Sequence, residues 1–469
     1  MDEISIPLFV DRAEELAFLE EQWKREKASF VVVYGRRRIG KTALVSHFLS
    51  KRQGLYFLAT EESEAQNRTA FRELAAEFSG NELLASSNTA DWDLVFKALF
   101  EPVPGKNKHE RLVIVIDEFQ YLAKANPAFP SILQKVWDSF LSGKNVMLIL
   151  CGSSVSMMES SVLSYNSPLY GRRTGQIRLE QIPFSYYGTF FPGKGERELV
   201  ERYAVTGGVP KYIEFFESGN LNRAIQKNIL TTSGFLCNEP AFLLRMEVSE
   251  IGSYYSLIKV IAAGNHKLSQ IAAALELKQS GISKYLNTLI TLGILEREVP
   301  VTEENPDKSK RGLYRIKDNF LQFWFRFVFP RMGYIELGRS GEVLEQIKQN
   351  FIDGHVSYVW EDICREKMWM LNFKKRWGFS INRCGRWWNK GIEIDIVAYD
   401  SSGLDMIFGE CKFSSRKTGA AVLRELEQKA ETVPWKKENR RNHFVIFSIG
   451  GFTDELKAAA KSRKDLLLV

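Results

Sequence analysis

Residues 29–46 read SFVVVYGRRRIGKTALVS: a β-branched apolar run at 30–34, then Gly35-Arg36-Arg37-Arg38-Ile39-Gly40-Lys41-Thr42-Ala43, then a helical pattern. Strand, glycine loop and helix in that order are what the phosphate-binding motif GxxxxGK[ST] requires. The glycines let backbone N–H groups curl into a nest around β- and γ-phosphates, at the positive end of the following helix. In this reading Lys41 reaches the β/γ oxygens and the Thr42 hydroxyl ligates Mg²⁺. Arg36, Arg37 and Arg38 add positive charge around the phosphates. The loop alone specifies ATP or GTP and nothing narrower.

The rest of the chain has to carry more than this one unit. At 469 residues it is too long for one core, and a prior of about 150 residues per domain implies about three. The composition, 45% hydrophobic and 26% charged, is that of a globular protein. No apolar run approaches the roughly 18 residues of a membrane span, and the start MDEISIPLFV lacks the basic end and long apolar core of a signal peptide. Five scattered cysteines without CxxC spacing fit a reducing, cytoplasmic location and no structural zinc. Charge is uneven: residues 1–248 carry 29 basic and 30 acidic side chains, 249–330 carry 11 and 8, and 331–469 carry 24 and 19. The positive excess lies away from the phosphate loop, as a polyanionic partner would favour.

A second all-apolar strand, residues 112–116, ends in Asp117-Glu118 some 75 residues beyond the loop. An Asp at a strand's carboxyl end can hold the Mg²⁺ water shell, and a neighbouring Glu can polarise an attacking water. A third buried strand, 146–150, runs into Cys151-Gly152-Ser153-Ser154, and Pro168-Leu169-Tyr170-Gly171-Arg172-Arg173-Thr174 precedes a strand at 176–179. Further on, Thr206-Gly207-Gly208-Val209-Pro210-Lys211-Tyr212 is a glycine turn before a helix.

Taken in order, FVDRAEEL, GRRRIGKT, VIDEFQYL, LCGSSVSMMES, PLYGRRTG and TGGVPKY resemble prokaryotic AAA+ ATPases related to the STAND and origin-binding groups, over about the first 240 residues. The resemblance implies ATP as cofactor with Mg²⁺, and an adenine pocket lined by the N-terminal box with Val10 and Arg12. It implies a sensor at Ser153 or Ser154, and Pro210 in a helical lid near the nucleotide, with Lys211 a less usual second sensor. Arg172 or Arg173 would be the arginine finger that acts on a neighbouring subunit, making a homo-oligomer the expected assembly.

Residues 254–263, 268–275 and 279–292 read as three helices, and two short strands around the polar loop 302–311 follow. That order describes a winged helix with 279–292 as recognition helix. Lys284 on that helix and Lys308, Lys310 and Arg311 in the wing are the DNA-contact residues this implies. Winged helices also bind protein, and both partners stay open. The aromatic run at 320–327 reads as core.

The last third holds a second constellation. Strand alternation places Glu393 with Asp395 on one face of their strand, and Glu410 with Lys412 on one face of the partner strand. Such a pair suits a divalent ion that polarises a phosphodiester, bound by Asp395, Glu410 and the Cys411 carbonyl, with Lys412 orienting water. Asp395, fourteen residues, then Glu410-x-Lys412 resembles the PD-(D/E)XK nuclease family, with Ile394 where a proline is usual. The resemblance implies Glu361 as the completing carboxylate, Gln428 as a further polar position, and Mg²⁺ or Mn²⁺ as the metal. Lys374-Lys375-Arg376-Trp377, Arg383, Arg386-Trp387-Trp388, Arg416-Lys417 and Trp435-Lys436-Lys437 mix charge with rings, as backbone contact plus stacking would. The whole order resembles archaeal and bacterial DEXX-box ATPases with a DUF234-type C-terminus.

The expectation is therefore an α/β protein in four parts: an AAA+ P-loop core (1–195), a helical lid (196–250), a winged helix (251–330) and a restriction-endonuclease-like α/β domain (331–469). Two functions follow. One is a Mg²⁺-dependent ATPase coupled to DNA binding or cleavage. The other is a STAND-like switch whose C-terminal part only binds DNA or protein.

Overall fold

The computed structural model describes residues 9–87, 89, 91–101, 111–217, 219–374 and 376–469. It divides into two compact units. One comprises the described residues through Ile182 with Val209–Lys211 and Leu243–Ser249; the other comprises Pro183–Gly208, Tyr212–Phe242 and Glu250–Val469. The segment expected as a lid is thus shared between them. Among the described residues no helix is long and apolar enough to cross a membrane.

The first unit is built on five parallel strands: β1 (Ser29–Tyr34), β2 (Gly54–Leu58), β3 (Leu112–Asp117), β4 (Val146–Gly152) and β5 (Gly175–Arg178), in spatial order β2-β3-β4-β1-β5. β1, β3 and β4 are buried along their whole length. Helices cover both faces of such a sheet, which is why these strands read as unbroken apolar runs. Val31, Val33, Val113, Val115, Met147 and Ile149 pack with Leu44, Val45 and Phe48 of the helix Lys41–Leu49. The strand order has a functional consequence. β4 lies between β1 and β3, so the chain leaving β4 emerges between the phosphate loop and Asp117, at the carboxyl edge where such sheets bind ligands.

Arg111 ties the opposite edge together. Its buried guanidinium donates to Ser29 Oγ at 2.7 Å and to the carbonyls of Lys27 and Val146 at 3.1 and 3.2 Å, joining the starts of β1 and β4 to the residue before β3.

In the second unit, helices Ile251–Ala262, Leu268–Ala274 and Gln279–Thr291 lead into an antiparallel hairpin of β6 (Leu295–Glu298) and β7 (Leu313–Ile316). These are the elements expected there, within three residues at each end. Phe320, Phe323, Trp324, Phe325 and Phe327 are buried, as the core reading required. The C-terminal sheet is mixed: β8 (Arg383–Asn389), β9 (Ile392–Tyr399), β10 (Asp405–Lys412), β11 (Arg441–Ser448) and β12 (Leu466–Leu468), in order β12-β11-β10-β9-β8. β8, β9 and β10 run antiparallel, and β11 and β12 continue parallel to β10. Gly409 permits the close packing of its centre, since a Cβ there would stand 2.9 Å from both Ile396 Cβ and Val445 Cγ1.

His355 is buried against Phe323, Phe327 and Phe351, with Nε2 donating to the Ala204 carbonyl at 2.6 Å. Burial pushes its pKa down to about 4, below the ordinary value near 6.5. The folded protein therefore resists a proton that the unfolded chain accepts, and stability present above about pH 6.5 is lost as pH falls toward 4. His355→Gln, which keeps an N–H for Ala204, should flatten this acid limb; thermal melts between pH 7 and 4 measure it.

Candidate functional site

The phosphate loop is shaped by residues with positive φ. Gly35 (φ 150°), Arg38 (φ 70°) and Gly40 (φ 96°) turn the chain from β1 into the helix that opens at Lys41. A Cβ on Gly35 would lie 2.5 Å from both Ile39 Cδ1 and the Leu179 carbonyl oxygen, so only glycine fits. Ile39 is buried, whereas Thr42 and Ala43 are exposed at the start of the helix. Lys41 is buried, and its ammonium donates to the Gly35 and Arg36 carbonyls at 2.9 Å each, across the loop. Burial lowers its pKa, opposed by the nearby charges of Glu118 and Asp117.

Arg12 is held by backbone carbonyls of the loop region. Its guanidinium is buried and donates to the carbonyls of Ile39 at 3.2 Å and Glu180 at 2.9 Å. It braces the loop from behind, beside the buried Val10. Pro210 opens the helix Pro210–Glu214, in a short segment that belongs to the same unit as the loop.

Asp117, Glu118 and Ser153 converge on this loop. Thr42 Oγ1 donates to Asp117 Oδ2 at 3.1 Å, and the Tyr56 hydroxyl donates to the same oxygen. The Glu118 N–H donates to Asp117 Oδ1 at 2.8 Å. Ser153 Oγ donates to Glu118 Oε2 at 2.6 Å and accepts from Gln120 Nε2 at 3.0 Å. Arg37 reaches Ser153 Oγ at 3.4 Å and donates to the Tyr121 hydroxyl at 2.6 Å. Of the two candidate sensors, Ser153 is the one joined to Glu118. Ser154 instead caps the helix Val155–Met158 and donates to Glu247 at 3.1 Å.

Thr42 and Asp117 offer two adjoining oxygen donors of the kind Mg²⁺ prefers, so the residues present fit that ion. When bound with nucleotide it neutralises charge on the β- and γ-phosphates.

Arg172 and Arg173 are engaged within their own chain. Arg172 forms a fork on Asp138 at 2.9–3.3 Å, and Arg173 donates to the Leu163 carbonyl at 3.2 Å. A role for Arg172 in a neighbouring subunit would first require that pair to open.

In the second unit, Asp395 on β9, Glu410 and Lys412 on β10, and Glu361 on the helix Ser357–Phe373 are electrostatic neighbours. Lys412 Nζ donates to Glu410 Oε1 at 2.7 Å, and Asp395 Oδ2 accepts from the Cys411 N–H at 2.8 Å. Burial raises the pKa of Asp395, with Glu410 adding to it; burial also raises that of Glu361, with Asp395 adding. Asp395 and Glu410 thus supply hard oxygen donors. Among the described residues, however, no three His, Cys, Asp or Glu side chains converge closely enough to hold a metal. The expected triad of Glu361, Asp395 and Glu410 is gathered but not closed, because Glu410 is drawn to lysines and Glu361 faces Arg386 at 3.7 Å. Gln428 is exposed; the neighbouring Lys429, on the helix Ala420–Ala430, is the residue that reaches Glu410, at 3.4 Å.

Lys284, Lys308, Lys310 and Arg311 are all exposed, and Arg311 pairs with Glu303 at 2.7 Å. Several members of the mixed basic and aromatic runs are internal. Trp387 is core, Arg386 is spent on Glu298, Glu361 and Glu393, and Trp435 packs on Tyr399 at 4.6 Å. Lys375 lies outside the described residues.

Sequence reasoning missed Tyr56, Gln120, Tyr121 and Glu247. The second and third stand within four residues of Asp117 in VIDEFQYL and could have been weighed with it; nothing local marks Tyr56 or Glu247.

A parallel sheet with the phosphate loop after β1 and an Asp-Glu pair closing β3 defines a Walker-type P-loop ATPase domain. Residues 9–216 match a family described as an ATPase domain predominantly from archaea, and residues 324–426 match DUF234, a family of archaeal and bacterial proteins of unknown function. An uncharacterized protein of Methanocaldococcus jannaschii is 36% identical over 428 residues, spanning 91% of this chain and 92% of that one. The chain belongs to this family of ATPases with a DUF234 C-terminal domain. A shorter uncharacterized ATP-binding protein of the same organism is 50% identical over 48 residues, covering 10% of this chain and 81% of its own length. A Walker-type ATPase of Pyrococcus abyssi shares the fold, with a TM-score of 0.50 and 21% identity over 68% of this chain and 96% of that one.

The two serines make separable predictions. Ser153→Ala should lower ATP turnover about 10²-fold with little change in nucleotide affinity. Ser154→Ala should leave turnover near wild type and cost about 1 kcal/mol of stability as a lost helix cap. Steady-state ATPase assays and thermal melts on both variants check this.

Proposed function

We propose that this chain is a Mg²⁺-dependent ATPase whose turnover governs DNA engagement by its C-terminal half. The observation that carries the first part is the run of contacts from Thr42 through Asp117 and Glu118 to Ser153. In that arrangement the loop N–H groups and Lys41 hold the phosphates. Glu118 accepts a proton from the attacking water, and Ser153 fixes the carboxylate that does so. The DNA part is supported by the exposed cations Lys284, Lys308 and Lys310 on three helices and a hairpin arranged as a winged helix. The basic surplus of residues 249–469 points the same way. Functionally we divide the chain at 195, 250 and 330, as core, lid, winged helix and C-terminal domain.

A second reading, metal-dependent DNA cleavage, rests on the crowded pair Asp395 and Glu410 with Lys412 beside them. Those residues would hold the ion, and Lys412 would orient water.

ATPase rates with and without single-stranded, duplex and branched DNA test the coupling. Lys41→Ala should abolish ATP binding or turnover, and Glu118→Gln should bind ATP and hold it. Lys412→Ala should keep ATPase activity while losing any Mg²⁺- or Mn²⁺-dependent nicking. An ATPase indifferent to every DNA, with nucleotide co-purifying and slow turnover, would instead mark a STAND-like switch. Wild-type protein that nicks no DNA with either metal removes the cleavage reading.

A further inference from the structure

A cleft of about 660 Å³ lies wholly within the second unit and is lined from two directions. One side is formed by Lys267 and Gln279, at the starts of the second and third helices, and by the hairpin loop with Lys310 and Arg311. The other is the β8–β9 turn with Trp388 and Lys390. Among the described residues its lining contains five cations (Lys267, Arg297, Lys310, Arg311 and Lys390) and no carboxylate.

These cations are not equivalent. Arg297 is spent on the loop itself, donating to the Pro306 and Ser309 carbonyls at 2.8 and 2.6 Å, and Arg311 pairs with Glu303. A Cβ on Gly312 would fall 2.6 Å from Arg297 Nε, so the loop is built tightly around that guanidinium. Lys267, Lys310 and Lys390 have no ion pair among the described residues. They stand on three separate elements facing one space, and such charges repel one another unless an anion lies between them. Trp388 is partly exposed and makes no ring contact among the described residues, whereas its neighbour Trp387 is core. A partly exposed indole in a cationic groove is the combination that stacks on a base while lysines follow the backbone.

We infer that this cleft binds a single polynucleotide strand, its phosphates on Lys267, Lys310 and Lys390 and one base on Trp388. The inference rests on the DNA-directed reading above and narrows it. Reading B-form DNA with a recognition helix needs open approach to a groove about 12 Å wide, with the duplex flanking it. Here the β8–β9 turn lines the same cleft as Gln279, the first residue of that helix, so the start of the helix is not open on that side. The C-terminal domain contributes the stacking ring and one cation of this surface, Trp388 and Lys390.

The test is fluorescence anisotropy on the full chain with a labelled oligothymidylate of about 20 nucleotides, a matching oligouridylate and a duplex of the same length. The wild type should bind single strands more tightly than duplex; the two oligonucleotides separate DNA from RNA as the source, and either one, bound through Trp388, supports the cleft. Trp388→Ala should weaken single-strand binding about 5- to 150-fold and Trp388→Phe should restore most of it. Lys390→Glu, at an exposed turn position, should weaken binding and lower the salt slope by about 0.7 or more. Duplex bound as tightly as single strands, with Trp388→Ala and Lys390→Glu unaffected, overturns the cleft while leaving DNA engagement standing. Wild-type protein that binds no nucleic acid overturns both.

Discussion

Asp117 is the interaction on which the catalytic half depends. Its two carboxylate oxygens take the hydroxyls of Thr42 and Tyr56 and the N–H of Glu118, joining β2, β3 and the helix of the phosphate loop. A carboxylate so nearly buried is tolerated only when its acceptor sites are filled, so its partners fix the end of β3 in place. The chain must then turn sharply from strand to helix, and Glu118 does so with φ 54° and ψ 40°. A left-handed residue that is not glycine costs about 1–3 kcal/mol, a strain that accumulates at functional sites. Here the conformation accompanies the carboxylate's contact with Ser153.

Beside its apolar cores, the second unit carries a network of ion pairs. Arg315 on β7 donates to both oxygens of Asp362 at 2.7 and 2.9 Å and lies against Glu298 at 3.1 Å. Arg365 also pairs with Asp362. Burial alone would raise Asp362, but the two guanidinium groups pull it down to about 2. Arg386 on β8 then bridges Glu298 of the hairpin at 3.2 Å to Glu361 and Glu393. Buried ion pairs return little net stability for their desolvation cost, but they penalise misplacement heavily. The hairpin, the helix Ser357–Phe373 and the C-terminal sheet are therefore locked in one register. That register places Glu361 near Asp395 and sets the β8–β9 turn across from the hairpin loop.

What the sequence revealed follows from how local each signal is. The phosphate loop and the Asp-Glu pair were legible because their chemistry is written in consecutive residues. The strands β1, β3 and β4 were legible because burial on both faces leaves no polar interruption. Ser153 and Ser154 could not be separated, since one residue of rotation sends one hydroxyl to Glu118 and the other to Glu247. On the helix Ala420–Ala430 one residue, about 100° of rotation, separates the exposed Gln428 from Lys429, which reaches Glu410. Tyr56 was invisible because β2 is short and half-buried, and because its value lies in pairing with β3, more than fifty residues away. For Arg12 the motif marks a residue near the loop without saying which carbonyls its guanidinium meets, those of Ile39 and Glu180.

Net charge was the weakest of the sequence signals, and the structure gives it meaning by position. Much of the positive surplus in residues 249–469 is consumed internally. Arg315, Arg365 and Arg386 serve the ion network, Arg440 donates to the Ala430, Val433 and Trp435 carbonyls, and Arg463 pairs with Asp465 and Glu427. Arginine suits such fixed, forked contacts, whereas lysine keeps a hydrated point charge on a mobile stem. The division is visible here: the cations held in this network are arginines, and the charges left facing the cleft without an ion pair among the described residues are Lys267, Lys310 and Lys390. A surplus that only kept the protein soluble would not need to gather on three elements around one tryptophan.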